Sequence, residues 1–333
     1  MISIYKRKEE NHIKRLTGEA FGLVLLIMLL ILFLFSEEIA ADRFIPHIAV
    51  DTGIIFLSII LEAIPFVILG VFVSSLIQVY ISEERLKNLI PSRPIAAIIP
   101  AALLGALLPI CECAIIPVVR RLISKGMPVH IGMVLLMTAP VLNPITALST
   151  YYAFRPDLSV LYGRLGITFL CSIIIGLLIF LRYRYTSPLK VQLQPHIHQK
   201  VDSSRVLKVC YHTTQEFFDM GRYLIMGALA AGLFQTMVNR DLLNSLGQNT
   251  LLAPVLMMAL AFLLSLCSEA DAFVAATFSQ SFTTGSIVAF LVYGPAIDFK
   301  NMLMMLAYFR FTFVMFFFTS VTLVIYGTII LLQ

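Results

Sequence analysis

From Phe21 onward, apolar runs of roughly 18 residues or more follow one another to the end of the chain, each long enough to cross a hydrocarbon core about 30 Å thick. Inside such a core every backbone N–H and C=O must find a partner within the protein, which admits only helices or a closed barrel. The alternating ten-residue pattern of barrel strands is absent, so helices remain. Composition agrees, with 59% hydrophobic and 13% charged residues, against about 25% charged in soluble domains. The expected fold class is an all-α polytopic membrane protein surrounded by lipid bilayer. The net charge of +5 is no sign of nucleic-acid binding, because the basic residues gather at the ends of apolar runs, where they set orientation. Five cysteines, an odd number lying mostly in apolar segments, argue against a secreted disulfide framework. A phosphate-binding Gly-x-x-x-x-Gly-Lys-Ser/Thr loop is missing, which excludes ATP hydrolysis within the chain.

The spans expected are 20–36, 48–80, 128–152, 157–181, 213–238, 284–299 and 302–331. Two further apolar segments, 95–118 and 251–280, are broken by prolines or acids. The basic N-terminus before Phe21–Phe35 looks like the start of a secretory leader. The length of the run, and Glu37-Glu38 beside the cleavage candidate, favour a retained helix instead. The chain then divides into 1–47 (N-terminus and first helix), a first repeat 48–181, a cytoplasmic linker 182–212 and a second repeat 213–333. The repeats rest on matched positions. Glu62, Gly70 and Gln78 each precede Asp219, Gly227 and Gln235 by 157 residues, and Cys111 precedes Cys267 by 156. Ala139-Pro140-x-x-Asn143 precedes Gly294-Pro295-x-x-Asp298 by 155, and Arg164 and Arg310 are matched beyond a shorter second loop.

Basic residues give the topology. With a cytoplasmic N-terminus, Arg85, Lys87 and Arg93 fall inside. A complete crossing by 95–118 would put Arg120, Arg121 and Lys125 outside. A re-entrant hairpin with arms of about 18 Å keeps them inside and sets Cys111-Glu112-Cys113 at its tip. Segment 251–280, which has no Lys or Arg, would enter from the opposite face. Three true spans per half is an odd number, so the repeats would be inverted, with broken helices meeting at mid-membrane as in many secondary transporters.

Ionisable groups at membrane depth are costly and mark substrate or ion paths. Thiolates suit soft species such as Cu(I) or trivalent arsenic. At an irregular tip Cys111 and Cys113 would face one cavity, with Cys267 supplying a third sulfur. Glu112, Glu269 and Asp271 would manage charge or protons, and Glu62 and Asp219 form a second acidic pair. Pro140, Asn143 and Pro144 should break span 128–152, because proline removes a donor and clashes with the preceding turn. The freed groups are tolerated only in protein or at a cavity, and Pro295 with Asp298 repeats the pattern. Arg164 can snorkel to the interface. Arg310 reads as deeper and in need of a carboxylate, Asp298 or Glu269. Cys171 and Cys210, the linker histidines and the lipid-facing phenylalanines of Phe311–Phe318 carry no site.

Leu108-Pro-Ile-Cys-Glu-Cys-x-x-Ile-Pro-Val-x-Arg-Arg121, Lys125-Gly-x-Pro128, Thr138-Ala-Pro-x-Leu-Asn-Pro144 and Cys267-Ser-Glu-Ala-Asp-Ala-Phe-Val274 resemble the signature of the ArsP-type predicted permeases, over about residues 50–331. The resemblance implies a bacterial inner-membrane permease. Characterised members are implicated in efflux of trivalent organoarsenicals such as methylarsenite. The function expected is therefore secondary-active export of a thiophilic small solute, coupled to the proton gradient. Rival cargoes are a metal ion or a sulfur compound. An intramembrane thiol enzyme would need a base beside its cysteine, and the apolar core offers only His130 near its cytoplasmic edge. A purely structural membrane subunit would have little use for duplicated polar breaks. No catalytic residue, cofactor or resident metal is expected, and oligomeric state and partner protein are left open.

Overall fold

The computed structural model describes residues 47–80, 95–155, 157–190, 205–237 and 251–332, except Pro109, Tyr185 and Ser187. The expected first helix at 20–36 lies outside them. Twelve helices are described: α1 His47–Tyr80, α2 Ile98–Leu107, α3 Glu112–Ser124, α4 Val129–Leu142, α5 Pro144–Ala153, α6 Ser159–Tyr183, α7 Arg205–Met237, α8 Leu252–Leu264, α9 Asp271–Ala276, α10 Thr284–Ala296, α11 Phe299–Tyr308 and α12 Phe311–Leu332. Among the described residues five segments are long and apolar enough to cross a membrane, six if the bent pair α4–α5 counts as one span. The protein is all-α and polytopic.

A capping Asn or Asp restarts the helix within two of these spans, and in the first of them a proline follows the cap. Pro144 has no N–H to donate to the Pro140 carbonyl, which instead accepts from Asn143 Nδ2 (3.3 Å) and Thr146 Oγ1 (3.0 Å). Asn143 Oδ1 then accepts the Thr146 N–H (2.8 Å), an N-cap that restarts the chain as α5. In the second half Ile297 and Asp298 are extended, and Asp298 Oδ1 accepts the Asn301 N–H (2.6 Å) to cap α11. This capping corrects the expected spans 284–299 and 302–331. The chain resumes as helix directly after Asp298 and turns only at Phe309-Arg310, so α10 and α11 form one broken span. The expected linker is shorter than 182–212, because α7 already begins at Arg205.

Contacts order the ends of the bundle. Arg310 N–H donates to Pro188 O (2.8 Å) and Lys190 N–H to Tyr308 O (2.9 Å), so the end of α6 lies beside the α11–α12 turn. Arg120, near the end of α3, covers the Tyr308 ring at 4.0 Å. Lys125 Nζ donates to Ile77 O and Gln78 O (2.8 Å each) at the end of α1. A Cβ at Gly176, near the end of α6, would meet Ile98. Segment 98–124 therefore starts and finishes at this same end, called here the linker end. Segment 252–276 is tied to the other end, where Leu251 O accepts from Tyr326 OH (3.4 Å) and Val288 of the following α10 packs on Gly163 near the start of α6.

Two glycines allow the closest helix approaches that bear on the site. A Cβ at Gly70 in α1 would stand 2.6 Å from the Ala114 backbone in α3, and one at Gly227 in α7 would stand 2.8 Å from Lys300 Cα in α11. Lipid is as apolar as leucine, so close packing rather than water exclusion holds such helices together. The phenylalanine run is not simply lipid-facing: Phe313 and Phe317, four residues apart on one face of α12, are fully buried, while Phe311 is exposed.

Candidate functional site: a buried charged centre between two broken segments

Both broken short segments begin their second helix with an acid. Glu112 is the first residue of α3, after the N-cap Cys111, and Asp271 is the first residue of α9. Carboxylates are favoured there by the partial positive charge of a helix N-terminus. Each acid is also paired with a cation from the other half of the chain.

Glu112 meets Lys300. The Lys300 ammonium lies 3.3 Å from Glu112 Oε1, 3.0 Å from Asp298 Oδ2 and 2.8 Å from Ser265 O. The ammonium donates to Glu112 Oε1 and Ser265 O and is ion-paired with Asp298 Oδ2, and the side chain is fully buried. Ser265, which stops α8, takes a left-handed backbone (φ 48°). That turn puts its carbonyl on Lys300 and its hydroxyl on the Phe299 N–H (3.2 Å). Cys111 and Cys113, buried on either side of Glu112, hydrogen bond to each other. Cys267 is buried within electrostatic reach of Glu112, Lys300, Cys113 and Glu62. Among the described residues no three Cys, His, Asp or Glu side chains converge as a metal-ligand set, so the three sulfurs do not form a preassembled trithiolate. Glu112 Oε2 is buried and has no hydrogen-bond partner among the described residues.

Asp271 meets Arg164. The guanidinium donates to Asp271 Oδ2 (2.9 Å), Ser268 O (3.2 Å) and Thr150 Oγ1 (2.8 Å), with no exposed surface. Snorkelling therefore does not describe Arg164. It is a buried ion-pair residue, tying α6 and α5 to the break before α9. Arg310 is the reverse case: it lies in the α11–α12 turn, exposed, and its expected pairing with Asp298 or Glu269 is not made. Asp298 is committed to Lys300 instead.

A third charged layer lies toward the linker end. Buried Glu216 of α7 accepts from Ser74 of α1 (2.9 Å), Arg120 (3.4 Å) and Arg121 (3.3 Å) of α3.

Of the residues expected from the sequence, Glu112 and Asp298 contact Lys300, Cys113 and Cys267 lie within its electrostatic reach, and Cys111 neighbours Cys113, while Asp271 and Arg164 form the neighbouring pair. Glu269 is half-buried beside Ser268, whose hydroxyl donates to it at 3.3 Å. Pro140 and Asn143 are buried, but the Asn143 amide is spent on its own backbone. Glu62 and Asp219 are exposed mid-helix, and Asp219 faces Arg222 at 3.8 Å. Lys300 and Glu216 were not foreseen. Lys300 reads as an interfacial residue between two spans, and its one local signal is the capping aspartate two positions earlier.

The described helices make this a multi-pass membrane protein. No solved structure matches the chain. Two named relatives cover most of its length. "UPF0718 protein YcgR" of Bacillus subtilis is 42% identical over 81% of this chain and 93% of its own. "Putative two-component membrane permease complex subunit" of Streptococcus mutans is 36% identical over 84% and 94%. The profile of the ArsP_1 family, described as "Predicted permease", matches residues 51–332, and the chain belongs to that permease family.

Proposed function

We propose that this permease is a secondary-active exporter of a thiophilic small solute, a trivalent organoarsenical of the methylarsenite kind, across the bacterial inner membrane. The observation that carries the reading is that Cys111, Cys113 and Cys267 are all buried on the two broken segments, one from each half, that also bring Glu112 and the Ser265 carbonyl to Lys300. Thiols give a soft donor set. Carboxylates held against one lysine give groups able to exchange a proton as the solute binds, which supports coupling to the proton gradient.

Inverted repeats are supported by the two capped breaks and by segments 98–124 and 252–276 being tied to opposite ends of the bundle. Helices α1 and α7 add to this, because Thr52 lies beside Thr236 and Ser74 beside Glu216, which makes them antiparallel. That pairing brings positions near 66 and 223 level, about the separation of 157 residues at which Glu62, Gly70 and Gln78 match Asp219, Gly227 and Gln235. In this reading the linker end is cytoplasmic, with the N-terminus on the same side. The Streptococcus mutans relative is named as a complex subunit, which favours a second membrane component for this chain as well.

The test is accumulation in cells lacking their own arsenic efflux, challenged with methylarsenite or inorganic arsenite. Cells making the protein should hold less methylarsenite, and Cys111→Ser or Cys113→Ser should abolish the difference. Equal accumulation with well-expressed protein would overturn the arsenical cargo and leave a metal ion or a sulfur compound in its place.

A further inference from the structure

We infer that Lys300 is a tethered counter-cation, which balances the carboxylates of the unloaded site and so lets the empty carrier reorient without a solute or exchange partner. The inference rests on the permease reading, but not on its cargo. Two carboxylates, Glu112 and Asp298, converge on one ammonium at 3.3 and 3.0 Å. Glu112 opens α3 and Asp298 caps α11. Each of those helix N-termini carries roughly half a positive charge. Together with Lys300 they offset both carboxylates, and all of this lies in a buried setting where an uncompensated charge is strongly disfavoured.

Without Lys300 the unloaded site would hold one unmatched negative charge, and a conformational change that moved it through the membrane would carry that cost. The ammonium itself cannot leave, because it is covalently part of α11. It can give up Glu112, however, since Asp298 and the Ser265 carbonyl still hold it (2.8 Å to the carbonyl). Glu112 Oε2 is buried and unpartnered, and Glu112 stands between Cys111 and Cys113 in the chain, within electrostatic reach of Cys113. A solute arriving at Cys111 and Cys113 therefore competes with Lys300 for Glu112, and on its departure Lys300 recaptures that carboxylate. The carrier is then a net exporter rather than an obligatory exchanger.

The experiment reads sidedness rather than transport. Full-length protein in right-side-out and inside-out vesicles, in arsenic-free buffer, is treated with a membrane-impermeant maleimide. Labelling of Cys111 and Cys113 is followed by mass spectrometry, and the ratio of rates from the two faces removes intrinsic thiol reactivity. Wild type should label from both faces at comparable rates. Lys300→Gln should skew the ratio by about tenfold or more, the population shift that about 1.4 kcal/mol produces. Lys300→Gln combined with Glu112→Gln restores the balance of charge and should restore the ratio, and Lys300→Arg should keep it.

Equal labelling of Lys300→Gln from both faces would overturn the inference. So would a skew that Glu112→Gln does not correct, a skew in Lys300→Arg, or a wild type labelled from one face only. If the labelling behaves as expected while methylarsenite accumulation is unchanged, the cargo falls and the counter-cation stands.

Discussion

Arg164 is the residue whose environment leaves it least freedom. It has no exposed surface, and three acceptors from two segments hold its guanidinium. Removing one member of a buried ion pair costs about 3–5 kcal/mol, whereas replacing both by apolar residues of similar size is far milder. Asp271→Asn should therefore lower thermal stability in detergent by an amount of that order. The double change Arg164→Met with Asp271→Leu should recover most of it. A double variant as unstable as the single would mean that Ser268 and Thr150, not the carboxylate, hold the arginine. Asn143 poses a different problem, because its amide satisfies backbone groups that Pro140 and Pro144 disturb. Loss of an N-cap costs about 0.5–2 kcal/mol, so Asn143→Ala should lower the melting temperature modestly. Asn143→Asp, which keeps the cap but turns a buried oxygen onto the Ala139 and Pro140 carbonyls, should lower it at least as much.

At the scale of elements, Gly227 decides where α11 lies, since no side chain fits between α7 and the Lys300 backbone. Gly227→Val should force the helices apart, at the roughly 1–3 kcal/mol typical of overpacking, and should carry Lys300 away from Glu112. Gly221→Val, at a position with open space around it, is the control, and a thermal shift as large there would refute the close-approach argument. The breaks in the broken spans were legible in the sequence because their causes are local. A proline lacks a donor, and an Asn or Asp three residues later caps the next helix. The burial of Arg164 and Lys300 was not legible, because a basic residue near the end of an apolar run looks the same whether it snorkels or pairs. Lys300 was lost for a further reason: a charge at position 300 suggests the edge of a span, and the capped restart that makes it interior depends on Asp298 and Asn301 together. Glu216 was missed because its partners come from α1 and α3, far away along the chain.

At the scale of the whole molecule, the buried ion pairs among the described residues fall in three layers, from Glu216 with Arg120 and Arg121 at the linker end, through Lys300 with Glu112 and Asp298, to Arg164 with Asp271. The thiols sit in the middle layer and are closed over in this conformation. Glu216→Gln leaves two arginines with a weaker acceptor and should raise maleimide labelling of Cys113 from the linker side, by about tenfold if the closed form loses about 1.4 kcal/mol. Unchanged labelling would show that this layer does not close the path.

The same pairs bear on how the chain is made. Glu112 waits for Lys300 and Arg164 for Asp271, and in each case the partner is synthesised later. The first half must enter the bilayer with these two ions unmatched, and only the arrival of the second half relieves them. Insertion and tertiary folding are thus linked in time, and a ribosome stalled near residue 200 would leave a membrane-bound intermediate exposed to quality-control proteases.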